Sequence, residues 1–367
     1  MPSITLRHVT KRYDGQVALN NIDLEVKSGE YMVILGPTGA GKTTLLRVIA
    51  GLTKPEKGEV LIDDRNVTTK DPEERNVSFM SQTYSLFPHL TVWDNVCFSP
   101  LVRGVPLDDT NRLAKEMLLL VALFDRSDAY PRELSGGMQQ RTALARALTA
   151  GTNILLLDEP LRALDARLRI DLRLSLRKLC KDLKITALHV THDQEEALLV
   201  ADRLAIIRKG RIEHIGTSRQ VYESPISPFS AHFLGEANFF IGRIEETDHK
   251  KTKIQSNGRS WIGQPSSLHK GQNACLAVKS ENMIVSKTDL DIHNKLKAVV
   301  TRVLFLGKFV GLELKSSEMV MPAKVKLKAE RAESISEGEE LWLGFEPQQG
   351  MVFPVPSIGL AKELEVE

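Results

Sequence analysis

Cysteine is scarce in this chain. Cys97, Cys180 and Cys275 are three in 367 residues, scattered and without C-x-x-C spacing. That pattern supports neither a disulfide framework nor a zinc site, and the three read as buried or half-buried thiols of a reducing compartment. Long hydrophobic runs are also missing: the apolar stretch 117–124 falls far short of the ~20 residues that cross a bilayer. The opening Met1-Pro2-Ser3-Ile4-Thr5-Leu6-Arg7 has neither the apolar core nor the cleavage site of a signal peptide. Charge of one sign is lacking as well, since 49 Lys and Arg face 47 Asp and Glu for a net +2. A protein that binds nucleic acid usually shows a strongly basic patch or domain. These absences lead to the expectation of a soluble, cytoplasmic protein with no nucleic acid among its partners.

What is present is enough chain for two domains. The first part alternates apolar, strand-like runs with helical ones. Strands are expected at Ile4-Thr5-Leu6, Ile22-Asp23-Leu24-Glu25-Val26, Tyr31-Met32-Val33-Ile34-Leu35, Val60-Leu61-Ile62, Val77-Ser78-Phe79-Met80 and Ile154-Leu155-Leu156-Leu157. Two more are expected over 185–190 and 204–207, closing with Ile212, and helices over 111–123, 138–149, 164–183 and 194–201. Continuous apolar strands between helices indicate a largely parallel, covered sheet. From about Glu236 the pattern changes to short β segments, over 239–244, 274–278, 297–305, 310–314 and 340–345. Turn clusters such as Ser256-Asn257-Gly258 and Ser336-Glu337-Gly338 separate them. The expected division is 1–235, with a helical subdomain at about 88–150, and 236–367 as a second, all-β domain, a small barrel.

The segment Gly36-Pro37-Thr38-Gly39-Ala40-Gly41-Lys42-Thr43 lies between an apolar strand and a helical run that opens with Thr44. That context makes G-x-x-x-x-G-K-[ST] a phosphate site. Its glycines allow backbone N–H groups to fold around phosphate oxygens, and the following helix aims its free N–H groups at the same anion. Lys42, and a metal ion held by Thr43, supply the remaining charge neutralisation. A nucleoside triphosphate is the expected ligand.

Ile154-Leu155-Leu156-Leu157-Asp158-Glu159-Pro160 is an apolar strand ending in two carboxylates. Asp158 suits support of Mg²⁺, and Glu159 suits the base for an attacking water. Leu134-Ser135-Gly136-Gly137-Met138-Gln139-Gln140-Arg141 opens a second helix with a serine and two glycines. By itself this is a good N-cap. It is also a second anion-binding helix start, and two copies of the chain facing each other would give it a phosphate to clamp.

With these motifs the sequence resembles the ATP-binding cassette family. Its signature LSGGQ appears as Leu-Ser-Gly-Gly-Met. The resemblance implies an α/β P-loop NTPase, an ABC ATPase with a helical subdomain, followed by a small all-β OB-like domain of the transport-associated (TOBE) kind. It implies that Gln82 touches the metal and relays nucleotide state, that His192 in Val190-Thr191-His192-Asp193 contacts the γ-phosphate, and that Tyr13 stacks on adenine. ATP would be held by Tyr13, Gly36, Thr38, Gly39, Ala40, Gly41, Lys42, Thr43 and Thr44. In trans it would meet Ser135, Gly136, Gly137 and Gln139. Mg²⁺ would be held by Thr43, Gln82 and Asp158, with Glu159, His192 and Gln82 catalytic. Asp165 matches the D-loop aspartate that crosses the dimer interface.

Two residues depart from the family pattern. Arg162 stands where the D-loop usually has a small residue, and a guanidinium there could reach a phosphate or carboxylate across the dimer or crowd the contact. Met138 stands where glutamine is commonest. The apolar segment 84–92 reads either as core of the helical subdomain or as a groove for a short helix of a membrane partner. Phe233-Leu234-Gly235-Glu236-Ala237-Asn238-Phe239 looks like the entry into the second domain. Leu276-Ala277-Val278-Lys279-Ser280-Glu281 and Leu304-Phe305-Leu306-Gly307 look like its inner motifs, with Lys279-Ser280 where the family usually has Arg-Pro. The resemblance implies an ATP-driven homodimer that powers an importer at the cytoplasmic face of the membrane. Its partners would be permease subunits and an extracytoplasmic substrate-binding protein. Polyamine is the expected cargo, with ferric iron, sulfate, phosphonate or sugar as alternatives; a non-transport cassette ATPase acting as a regulator, or a phosphotransferase, are rivals from other classes.

Overall fold

A computed structural model describes residues 2–365 apart from Asn257, Val320 and Glu333. The chain forms two compact units, Met1–Val221 and Tyr222–Val366. In the first, a six-stranded sheet runs in the order Arg211–Gly216, Arg203–Arg208, Tyr31–Leu35, Thr186–Thr191, Ile154–Asp158, Val77–Met80. Every neighbouring pair is parallel except Arg203–Arg208 with Arg211–Gly216 at the edge. Tyr31–Leu35, Ile154–Asp158 and Thr186–Thr191 are buried at every position, as strands covered on both faces must be.

The expectation of one largely parallel sheet needs correction at its margin. Ile4–Tyr13, Gln16–Val26, Lys57–Ile62 and Arg65–Asn66 form a separate four-stranded antiparallel sheet. The first two run well past their apolar stretches because only one face is covered. A tight hairpin joins them at Asp14 and Gly15, both at positive φ.

The helix Lys42–Ile49 follows the phosphate loop directly. Its carbonyl end is held by Arg75, whose buried guanidinium donates to the carbonyls of Val48 and Ile49 at 2.9 Å. A cation there complements the negative end of the helix dipole. The helical segment comprises Val92–Val102, Leu107–Leu120 and Gly136–Thr149. The first escaped sequence reading because it contains Pro100 and has almost no polar face. Thr91 starts it by accepting from the Asp94 N–H. The helix expected over 111–123 begins four residues earlier, behind Pro106.

The second unit contains two five-stranded antiparallel sheets. They share a core that includes Phe240, Trp261, Leu276, Leu296, Leu343 and Phe345. The hairpin Thr252–Ser256 to Arg259–Gly263 flanks the expected Ser256-Asn257-Gly258 turn, of which Asn257 lies outside the described residues. The three cysteines are free and buried, and burial pushes the Cys97 thiol up to about 11 and those of Cys180 and Cys275 to about 12. Among the described residues no helix is long and apolar enough to cross a membrane.

Candidate active site

A cleft of ≈ 320 Å³ opens where the parallel strands end. Its lining includes Thr38, Gly39, Gly41, Lys42, Thr43 and Thr44 of the phosphate loop and helix, together with Gln82, Glu159, Arg162 and His192. Loop shape depends on glycine at two positions. A Cβ on Gly36 would lie 2.2 Å from the Ile207 carbonyl oxygen, and one on Gly41, whose φ is +103°, would lie 2.2 Å from that of Ala18. Gly41 caps the helix without a side chain, so no side-chain oxygen occupies the first N–H groups. The Lys42 ammonium is buried and donates to the Gly36 and Pro37 carbonyls at 2.8 and 2.7 Å. Burial lowers its pKa, opposed by the Glu159 and Asp158 charges.

Asp158 is 1% exposed, and neither carboxylate oxygen has a hydrogen-bond partner. Burial raises its pKa. The Thr43 hydroxyl is near enough to oppose that shift but completes no bond of ordinary geometry to either oxygen. An orphaned buried carboxylate is costly unless something brings charge to it. With Thr43 beside it, this donor set fits a hard cation shared with phosphate oxygens. Among the described residues no group of three or more His, Cys, Asp or Glu is placed to hold a metal ion.

Glu159 follows at φ +50°, a left-handed conformation rare outside glycine, fixed by its N–H donating to the Val190 carbonyl at 2.9 Å. Its carboxylate is held on three sides. Oε1 lies 2.8 Å from His192 Nδ1, and Oε2 accepts from Gln82 Nε2 at 3.2 Å and from the Arg162 guanidinium at 2.9 Å. Burial pushes its pKa up, and His192 and then Arg162 outweigh that, leaving it below the usual carboxylate range. His192 follows the strand Thr186–Thr191 and precedes Asp193, which caps the helix Gln194–Val200. Behind it, Arg173 is salt-bridged to Asp193 and lies 3.7 Å from Glu196, a buried network that nothing in the local sequence pattern announces.

The signature segment is built as a cap. Ser135 Oγ accepts from the Met138 N–H, and Gln139 donates to the Pro131 carbonyl at 2.8 Å. Gly137 has a reason within the chain, since a Cβ there would lie 2.8 Å from the Ala163 carbonyl oxygen, whereas one on Gly136 would meet nothing within 4 Å. Sequence reading missed the role of Gln140. Buried in the same helix, it donates to the Glu159 carbonyl at 2.9 Å and accepts from the Ala163 N–H at 2.8 Å. Asp165 caps the helix Ala166–Asp182 by accepting from Leu168 N–H at 3.0 Å. Tyr13, Gly36, Ala40, Asp158, the signature residues and Asp165 are not among those lining the cleft; Asp158 lines an adjoining pocket with Thr43 and Gln82. Tyr13 is 41% exposed at the end of its strand, with Lys11 over its ring.

Comparison with known proteins agrees with this geometry. The family model described as ABC transporter matches residues 19–162, and that described as TOBE domain matches 276–353. The chain is 37% identical over 362 residues to the spermidine/putrescine import ATP-binding protein PotA of Thermobifida fusca, covering 96% of this chain and 94% of that protein. It is 39% identical to the sulfate/thiosulfate import ATP-binding protein CysA of Nitrosomonas europaea, covering 96% and 97%. Among solved structures, the dimeric ATP-binding cassette MJ0796 bound to ADP and Pi matches with a TM-score of 0.55 and 34% identity, over 59% of this chain and 99% of that one.

Proposed function

The chain belongs to the ABC transporter family, and we propose that it is the ATP-hydrolysing subunit of an importer, working as a homodimer. The observation that carries this reading is one cleft that brings together a buried lysine and a carboxylate held beside a histidine, with the orphaned Asp158 lining an adjoining pocket that shares Thr43 and Gln82 with it. The nucleotide-binding domain is residues 1–235, and the β-rich TOBE domain is 236–367. In this reading Lys42 exchanges the Gly36 and Pro37 carbonyls for phosphate oxygens, and the N–H groups of Gly39 to Thr44 complete the cradle. Tyr13 stacks on adenine. Glu159 accepts a proton from the attacking water, and His192 orients that carboxylate while its other ring nitrogen faces the γ-phosphate. Ser135, Gly136, Gly137 and Gln139 of the second copy close over the same phosphate, and Asp165 lies at the junction. Thr43, Asp158 and Gln82 would hold Mg²⁺, which would supply neutralisation of the phosphate charge.

ATP favours the closed dimer only through differential affinity, and hydrolysis resets it. The expected result for Glu159→Gln is a chain that binds ATP, dimerises on gel filtration and barely turns over; full activity of that variant would sink the assignment.

Membrane attachment goes through permease subunits at the cytoplasmic face, with an extracytoplasmic binding protein delivering cargo. A face for such a partner is supported by Phe87 and Phe98, 4.4 Å apart between centroids, beside exposed Leu101 and Val102. Polyamine is the cargo best supported, because PotA proteins of several organisms are similar over most of this chain. The CysA similarity keeps sulfate as the second reading. Uptake of labelled spermidine, sulfate and ferric iron in cells carrying Lys42→Ala decides it: loss of spermidine uptake alone is the expected outcome, and loss of sulfate uptake alone moves the cargo to the second reading.

A further inference from the structure

Arg162 is where this chain leaves its family pattern, and the structure assigns it a place within its own subunit. Its guanidinium donates to Glu159 Oε2 at 2.9 Å and lines the same cleft as Lys42, Thr43 and His192. That oxygen also accepts from Gln82 at 3.2 Å, while Oε1 faces His192. A carboxylate oxygen has about two acceptor positions, so both of those on Oε2 are taken. We propose, resting on Glu159 as the base, that Arg162 is a cis latch, a positioning residue that holds the D-loop against the catalytic carboxylate and restrains hydrolysis until the loop moves.

Three observations support a latch over a fixed strut. First, the Arg162 side chain is 58% exposed, so the ion pair is solvent-screened and opens readily, whereas Glu159 is 11% exposed and pinned to the sheet through Val190. Second, the Glu159 N–H is tied to the sheet, whereas the loop beyond it is tied to the signature helix, whose Gln140 also donates to the Glu159 carbonyl. Gln140 holds the Ala163 N–H, and the Ala163 carbonyl closes against Gly137. Movement of Gly136–Thr149 therefore carries Ala163, next to Arg162, with it. Third, the geometry is set by the turn and not by chance proximity: Arg162 N–H bonds back to the Glu159 carbonyl, and Leu161 and Leu164 are buried on either side. A second copy docking on its signature segment would thus unlatch the base at the moment the site is completed.

The test compares the full chain with Arg162→Ala, Arg162→Gln and Arg162→Lys. Without nucleotide, hydrogen exchange of the 161–165 amides is expected to quicken in the Ala and Gln variants and to stay near wild type in Lys, with the melting temperature unchanged. With ATP, kcat is expected to rise about three- to fivefold in Ala and Gln, the scale of one exposed ion pair. The KM for ATP and the chain concentration giving half-maximal rate should stay put. A fall in kcat, or a raised KM, shows the guanidinium working on phosphate and overturns the latch. Unchanged exchange together with unchanged kcat overturns it too. Glu159→Gln, alone and combined with Arg162→Ala, separates this from the underlying reading. If it is inactive in both backgrounds while Arg162→Ala alone gains nothing, only the latch is lost. If it remains active, the base assignment falls and the latch with it.

Discussion

Asp158, at the end of its strand beside the nucleotide cleft, and Lys279 in the β unit are buried almost equally, 1% and 3% exposed, yet they are finished differently. Asp158 has no hydrogen-bond partner on either oxygen. Lys279 donates to the Leu234 carbonyl at 2.8 Å and sits over the Tyr222 ring, whose hydroxyl donates to Glu281. Burial shifts both toward neutrality, Asp158 upward and Lys279 down to about 8. Only Asp158 is left without a partner to offset the cost. The lesson is that burial by itself does not mark a functional charge; an unfinished hydrogen-bond set does. Lys279 stands where the family usually carries arginine, and here the fold itself completes it.

The largest effect that could break this contrast comes from making one substitution in both regions. Lys42→Met is expected to weaken ATP binding by about 10- to 100-fold, the worth of a charged contact to phosphate, with the fold intact. Lys279→Met should leave ATP affinity, measured by calorimetry, unchanged. Equal losses would erase the distinction.

Next in size is the pH dependence of Lys279. Its folded pKa, about 8, lies below the ordinary 10.5, so between those values the unfolded chain binds more protons and stability rises with pH. From about pH 7.5 to about 9.5 Lys279 contributes a rise on the order of 1–2 kcal/mol, set against the fall contributed by the three buried thiols, and below the range where Tyr222, pushed up by burial, begins to matter. Because the thiols act alike in both proteins, denaturant unfolding of wild type and Lys279→Met should differ by that rise; parallel stability–pH curves would remove Lys279 as its source.

Asp158→Asn sharpens the other side. Because burial raises the folded pKa of Asp158, the native chain holds its proton longer and stability falls as pH climbs through and above the usual carboxylate range. The variant should be more stable than wild type near pH 7 by about 1 kcal/mol without Mg²⁺, and no more stable in acid, while its Mg²⁺-dependent ATP binding is lost. The smallest stability change is expected for Gly136→Ala, within about 0.5 kcal/mol because a Cβ there meets nothing. If turnover nonetheless falls, Gly136 acts on the second copy's nucleotide.

Much of the site was legible because it is contiguous. Gly36 to Thr43 adopt their loop from eight adjacent residues, and Asp158 and Glu159 end a strand whose burial is written in four apolar neighbours. Long periodic helices such as Ala166–Asp182 were legible for the same reason, whereas Val92–Val102 was not, having no polar stripe to set a period. The short strands Ile284–Ser286 and Met351–Pro354 exist only because sheet partners hold them.

The sequence by itself determined the phosphate loop, the two carboxylates, the signature helix start and the change from α/β to β near residue 236, since each rests on local spacing and backbone preference. Tertiary structure alone decided what those residues do to one another. Arg75 reaches across 27 residues to cap the phosphate helix at Val48, and Gln140 holds both Glu159 and Ala163 of one loop, 19 and 23 residues away. Even Arg162 and Glu159, three residues apart, meet only because Val190 on a neighbouring strand holds Glu159 at a positive φ. A hydrogen bond between distant segments selects that conformation, and no local propensity favours it.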